Sequence, residues 1–337
     1  MNAPSRSTIS HPSAWLASDV ATRTDQWIQV LPADVREEIE AVARAICQES
    51  LTPLTGTAPD LSRLPAARDY LAGIEREVME GRGFVLLRGL SPDLDDAMLR
   101  ACYWLIVNLL GRPISQNSYG DRLCDVVDTG RPLGGRRVRG YQTNAELKFH
   151  TDRCDLVGLL CLRPAMSGGR SSIASAVSAY NQLALHQPEM VAPLLEGMNY
   201  LNLEEGGDSS IKRVPVFHIQ DGVLSVRYSR NSYQTSMQHG APYTETELAA
   251  LAAVDALAED PALRLDMELE RGDMQLINNY TTLHSRTAYQ DWPEADRKRC
   301  MVRGWIRTHL QRPLGPHFGD YGGVPVTLSR DAPSAQP

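Results

Sequence analysis

The chain has no apolar run approaching the roughly 18 residues needed to span a bilayer, and its first residues, MNAPSRSTISHPSAW, lack the apolar stretch of a secretory signal. It has no surplus of positive charge: 34 Lys+Arg stand against 41 Asp+Glu, for a net charge of −7. Nucleic acid and acidic membrane surfaces select basic faces, so neither is an expected partner. None of the six cysteines (Cys47, Cys102, Cys124, Cys154, Cys161, Cys300) lies in a CxxC pair. They read as reduced, mostly buried thiols of a cytoplasmic protein. Neither GxGxxG nor GxxxxGK[ST] follows any predicted strand, which weighs against an α/β sheet built around a nucleotide.

What remains is ordinary globular material, 42% hydrophobic and 22% charged over 337 residues, enough to bury a substantial core. Residues 1–12 and 325–337 are polar and expected to fray, leaving 13–324 as one domain. Helical periodicity runs over 33–49, 66–79 and 95–110, the last opening on Asp95 and Asp96 as a helix N-terminus prefers. Between the second and third helices, the apolar run from Gly83 to Gly89 predicts a buried strand.

From about Val138 the texture changes to short strands and turns. Runs at 156–162, 171–174, 263–269, 274–277 and 300–308 predict strands, and an Asp221-Gly222 turn joins 214–219 to 223–228 in a hairpin. Helices are expected at 176–185 and 244–258. Many strands with few intervening helices predict a mainly β fold with flanking helices, its core a double-stranded β-helix or jelly roll.

His150-Thr-Asp152 sets an imidazole and a carboxylate at i and i+2, a spacing that on an extended strand points both to one face. With one more imidazole this becomes a face of two histidines and one carboxylate, which holds Fe(II) and leaves positions open. His284, after the 274–277 strand and a polar turn, is the candidate third ligand. An HxD pair alone arises often by chance, and a lone histidine is more often structural, as His11, His186, His218, His239, His309 and His317 are read here. Cys154 is close to Asp152 but is not expected to be a ligand, since thiolate ligation of iron normally gathers several cysteines.

Four segments in order, Phe149-His-Thr-Asp152, Leu162-Arg-Pro-Ala-Met-Ser-Gly-Gly169, Asn278-Asn-Tyr-Thr-Thr-Leu-His-Ser-Arg-Thr-Ala288 and Arg297-Lys-Arg-Cys-Met-Val-Arg-Gly-Trp305, resemble the TauD/TfdA family of Fe(II)/2-oxoglutarate-dependent oxygenases. The similarity spans residues 83–307. The resemblance implies that His150, Asp152 and His284 hold iron and that Arg299 pairs with the distal carboxylate of 2-oxoglutarate. Ser171 would stand where many members carry a hydroxyl toward that same carboxylate. It also implies consumption of O₂ and release of succinate and CO₂ as a C–H bond is oxidised, by default to an alcohol. Asp152 argues against halogenation, since halogenating relatives carry a small residue in its place.

Arg303 matches a position that contacts an acidic substrate group in some members and is structural in others. Gln116, Asn117 and Arg230 are candidate substrate contacts, and 129–140, with Arg131, Arg136, Arg137 and Arg139, is a candidate basic lid. These arginines suggest a small substrate bearing a carboxylate or other anion, such as an amino acid or an intermediate of specialised metabolism. Nothing in the sequence excludes a homo-oligomer. A non-oxidative hydrolase or isomerase would keep the three ligands but have no use for Arg299 and Ser171. A silent binding protein would need none of them.

Overall fold

A computed structural model describes residues 7–48, 58–131, 139–202, 210–318 and 322–328. Eleven strands among them form two sheets: β1 (Ile28–Val30), β2 (Phe84–Arg88), β3 (Gly111–Pro113), β4 (Leu123–Val126), β5 (Leu147–His150), β6 (Leu156–Arg163), β7 (Ser171–Ser175), β8 (Arg264–Met267), β9 (Met274–Asn278), β10 (Thr282–Arg286) and β11 (Cys300–Thr308). The larger sheet runs β1-β2-β9-β6-β11-β3, with β4 also on β11, and the smaller runs β8-β7-β10-β5. Except for the parallel β1–β2 pair, neighbours are antiparallel, and the two sheets face each other as the jelly roll predicts.

Strand alternation sorts the side chains into layers. On β11, Val302 and Ile306 face α1 (Ala33–Gln48), α2 (Pro65–Met79) and α3 (Asp96–Leu109) across the outer core, while Met301 and Trp305 face inward. On the smaller sheet Ala174 and Leu283 join the core under α4 (Ala176–His186) and α6 (Glu245–Glu259), whereas Ile173 lies in the core between the sheets. Arg303 therefore shares the inward side with Trp305. His284 and Arg286, alternating with Leu283 and Ser285, share the inward side with Ile173, which is paired with His284.

One helix contact depends on two glycines. Gly158 on β6 and Gly304 on β11 are directly paired. A Cβ on Gly158 would stand 2.4 Å from the Tyr103 hydroxyl, and one on Gly304 3.1 Å from it. The pair forms a notch that seats α3 on the sheet.

The structure departs from expectation in a few places. Val214 ends a separate strand, Ser210–Val214, paired with Met198–Asn202, so the 221–222 hairpin is Phe217–Gln220 with Val223–Val226. Residues 230–238 form a helix, α5 (Arg230–Gln238), that sequence periodicity does not announce. The expected frayed start is partly docked, since the Ile9 N–H donates to Asn181 Oδ1 at 2.7 Å. At the other end, the Thr327 and Leu328 N–H groups both reach the Ser118 carbonyl. Most of the proposed basic lid, 132–138 with Arg136 and Arg137, and the end of the first helix at Glu49 lie outside the described residues.

Candidate active site

His150 ends β5 and His284 sits in the middle of β10, and the two are register partners. Their rings lie 4.3 Å apart, centroid to centroid. Asp152, two residues past His150, brings its carboxylate to 3.8 Å from His284 Nε2. Ligand atoms from the three side chains all fall within 4.8 Å of one another. Backbone pairing fixes the two imidazoles, and the turn after β5 delivers the carboxylate.

The surroundings set each group's state. His150 Nδ1 donates to the Lys148 carbonyl at 2.7 Å, so the proton is on Nδ1 and Nε2 is left as the donor to a metal. Burial and the neighbouring His150 hold His284 down at about 3 against the pull of Asp152, so its ring is neutral at physiological pH. Burial works against the charge of Asp152, but Arg303 foremost, with the two histidines and the Trp305 N–H, brings its pKa to about 2. The Trp305 indole donates to Asp152 Oδ2 at 2.8 Å and Arg303 Nη1 lies 3.3 Å from the same oxygen. A neutral His284 imidazole, the His150 Nε2 and an ionised carboxylate form a donor set suited to Fe(II).

Asn279, in the turn between β9 and β10, is not among the site residues the sequence predicts. It is fully buried, its Oδ1 accepts the Asp152 N–H at 2.8 Å, and its amide donates to the carbonyls of Asp152 and Cys154. It fixes the turn that carries the carboxylate. The signal for this was the second residue of the Asn278-Asn279 pair, too short to be specific by itself. Cys154 is fully buried, its thiol donates to the Leu156 carbonyl, and burial raises its pKa, so it stays a thiol outside the donor set.

Arg299 is 2% exposed, and its Nε and Nη1 have no acceptor among the described residues. Its guanidinium carbon stands 5.0 Å from the centre of the Tyr289 ring, and burial lowers its pKa. Ser171, also buried, donates to Gln275 Oε1 at 3.0 Å. A buried cation with unspent donors fits an anion that enters from outside the chain. The 167–169 turn crowds it, because a Cβ on Gly169, whose φ is +71°, would reach Arg299 Nε at 3.0 Å.

Over the metal-ligand cluster opens a cavity of about 530 Å³, lined by His150, Asp152, Arg303, Trp305, Gln116 and Arg230 among others. Arg139, Lys148 and Arg153 add further cations to its wall, and Asp152 is the only carboxylate among the described lining residues. Gln116 accepts from Arg303 Nε at 2.7 Å and donates to the Arg303 and Arg122 carbonyls. Asn117 is not in the lining. Its side chain closes the 117–121 turn, accepting the Tyr119 and Asp121 N–H groups.

Comparison with known proteins decides the family. The model of the taurine catabolism dioxygenase TauD, TfdA family matches residues 49–305. The chain belongs to the TauD/TfdA family. It is a 2-oxoglutarate-dependent non-haem iron dioxygenase. It is 33% identical over 310 residues to FR-33289 synthase of Streptomyces rubellomurinus, covering 89% of this chain and 90% of that protein. It is 27% identical to the taurine hydroxylase-like protein SAT17 of Stachybotrys chartarum, covering 94% and 82%. The crystal structure of asparagine oxygenase with Fe(II), 3-hydroxyasparagine and succinate shares the fold, with a TM-score of 0.64 at 22% identity over 84% of this chain and 94% of that one.

Proposed function

We propose that this TauD/TfdA dioxygenase hydroxylates a C–H bond of a small carboxylate-bearing molecule at the His150–Asp152–His284 cluster. The observation that carries the reading is the in-register pairing of His150 with His284 beside an ionised Asp152. In this reading the three side chains hold Fe(II), and Arg299 with Ser171 holds the distal carboxylate of 2-oxoglutarate. Bound iron supplies the oxidising power, drawn from O₂ and the conversion of 2-oxoglutarate to succinate and CO₂.

The chain's own residues do the rest. The Lys148 carbonyl keeps the His150 proton on Nδ1, and Arg303 with Trp305 keeps Asp152 ionised and oriented. Two of Arg303's interactions are with Asp152 and Gln116, so its first task is to position the carboxylate ligand. Arg230 is then the better candidate for a substrate anion. It lines the cavity, pairs with Asp255 at 3.2 Å and keeps a buried Nη1 without an acceptor among the described residues. The cationic lining supports a carboxylate-bearing substrate such as an amino acid, the class on which an asparagine oxygenase acts by its name.

Anaerobic reconstitution with Fe(II) and 2-oxoglutarate should produce a weak visible charge-transfer band, and its absence in folded protein would overturn the cofactor assignment. Succinate release across a panel of amino acids, small carboxylic acids and their amides should then favour the compounds that keep a free carboxylate. Arg230→Ala should raise the KM for the accepted acid about tenfold, the worth of roughly 1.4 kcal/mol, with little change in kcat. Arg303→Ala should lower iron affinity more than substrate affinity, and the reverse order would return Arg303 to the role of anion clamp.

A further inference from the structure

We infer that Arg286 is a second cationic contact for the distal carboxylate of 2-oxoglutarate and ties that carboxylate to the chain leading into His150. The inference rests on the co-substrate reading above. Arg286 lies two residues beyond His284 on β10, so their side chains share the inward face about 6.6–6.8 Å apart along the strand. Directly opposite it on β7 is Ser171, the hydroxyl already assigned to that carboxylate. Arg286 is 5% exposed, and its Nε and Nη1 have no acceptor among the described residues.

The same ring gathers both arginines. The guanidinium carbons of Arg286 and Arg299 stand 4.8 and 5.0 Å from the centre of Tyr289. Two buried cations that repel each other and keep unspent donors are a site organised for an anion with two oxygens to offer. The third nitrogen is already used, since Nη2 donates to the carbonyls of Thr143 and Ala145. Tyr289 fastens the same stretch, its N–H donating to the Asn144 carbonyl at 3.1 Å. One side chain thereby touches both the co-substrate pocket and the segment that runs into the first iron ligand.

A structural staple alone would be needed whether or not the co-substrate carries a distal charge, and that difference gives the test. Binding of 2-oxoglutarate and of 2-oxovalerate, which lacks the distal carboxylate, is measured by calorimetry on the Mn(II)-loaded full chain without oxygen. Wild type should prefer 2-oxoglutarate strongly. Arg286→Met should cut that preference at least tenfold, Arg299→Met more, and Arg286→Lys should keep part of it. Unchanged preference in R286M, or in R286K should R286M not fold, would reduce Arg286 to a staple and overturn the inference. A wild-type chain that binds both acids alike would overturn the co-substrate reading itself, and this inference with it.

Discussion

Single side chains here depend on their neighbours for their chemical state. Asp152→Ala removes one iron ligand and the acceptor of Trp305 and Arg303, leaving a nearly buried guanidinium beside the cluster. Both the charge-transfer band and turnover should vanish, while circular dichroism keeps a folded spectrum. Asn279→Ala should weaken iron binding by about 10–100-fold, the usual cost of losing an outer-shell partner, although Asn279 is no ligand. Equilibrium dialysis measures it. His284 also makes stability depend on pH. Its folded value of about 3 lies below the ordinary 6.5, so the unfolded chain takes up a proton that the folded chain refuses. Metal-free protein should therefore lose stability as pH falls from about 6.5 toward 3, and His284→Gln should flatten part of that slope in urea melts.

At the scale of elements, Gly158 and Gly304 matter because they are absences of side chain. Gly158→Ala places a methyl against the Tyr103 hydroxyl and should destabilise by about 1–3 kcal/mol through overpacking, seen as a lower urea midpoint. Elements with strong periodicity were legible in the sequence. α3 runs Asp96–Leu109 with Asp95 accepting the Met98 N–H, and α6 runs Glu245–Glu259 with Thr244 and Glu247 closing a capping box. α5 was not, because RNSYQTSMQ buries only Tyr233 and Ser236 and shows no apolar stripe. Of the site, the spacing of His150 and Asp152 pointed to the ligands, but nothing local marked Arg286. Its importance comes from facing Ser171 across a strand pair, a contact between distant parts of the chain. Ile9 escaped for the same reason, its partner being Asn181.

The whole molecule carries a net charge of −7, yet the cavity wall bears Arg139, Lys148, Arg153, Arg230 and Arg303. A cationic concavity in an acidic chain focuses field lines toward its mouth and favours entry of anions. Raising ionic strength from about 0.01 to 0.15 M shortens the Debye length from about 30 to 8 Å, so kcat/KM for an anionic substrate should fall several-fold. A neutral analogue should show no such slope under the same salt series.

The pairing of His150 with His284 also sets an order of events. The two imidazoles meet only through the β5–β10 ladder, and a slip of one residue would send one ring to the opposite face. During synthesis the first histidine is therefore made long before its partner exists. Strong iron capture must wait until the strand at 282–286 has emerged and joined the sheet. Iron held by the two imidazoles and Asp152 would stabilise only the correctly registered chain and so act as a late checkpoint on strand alignment.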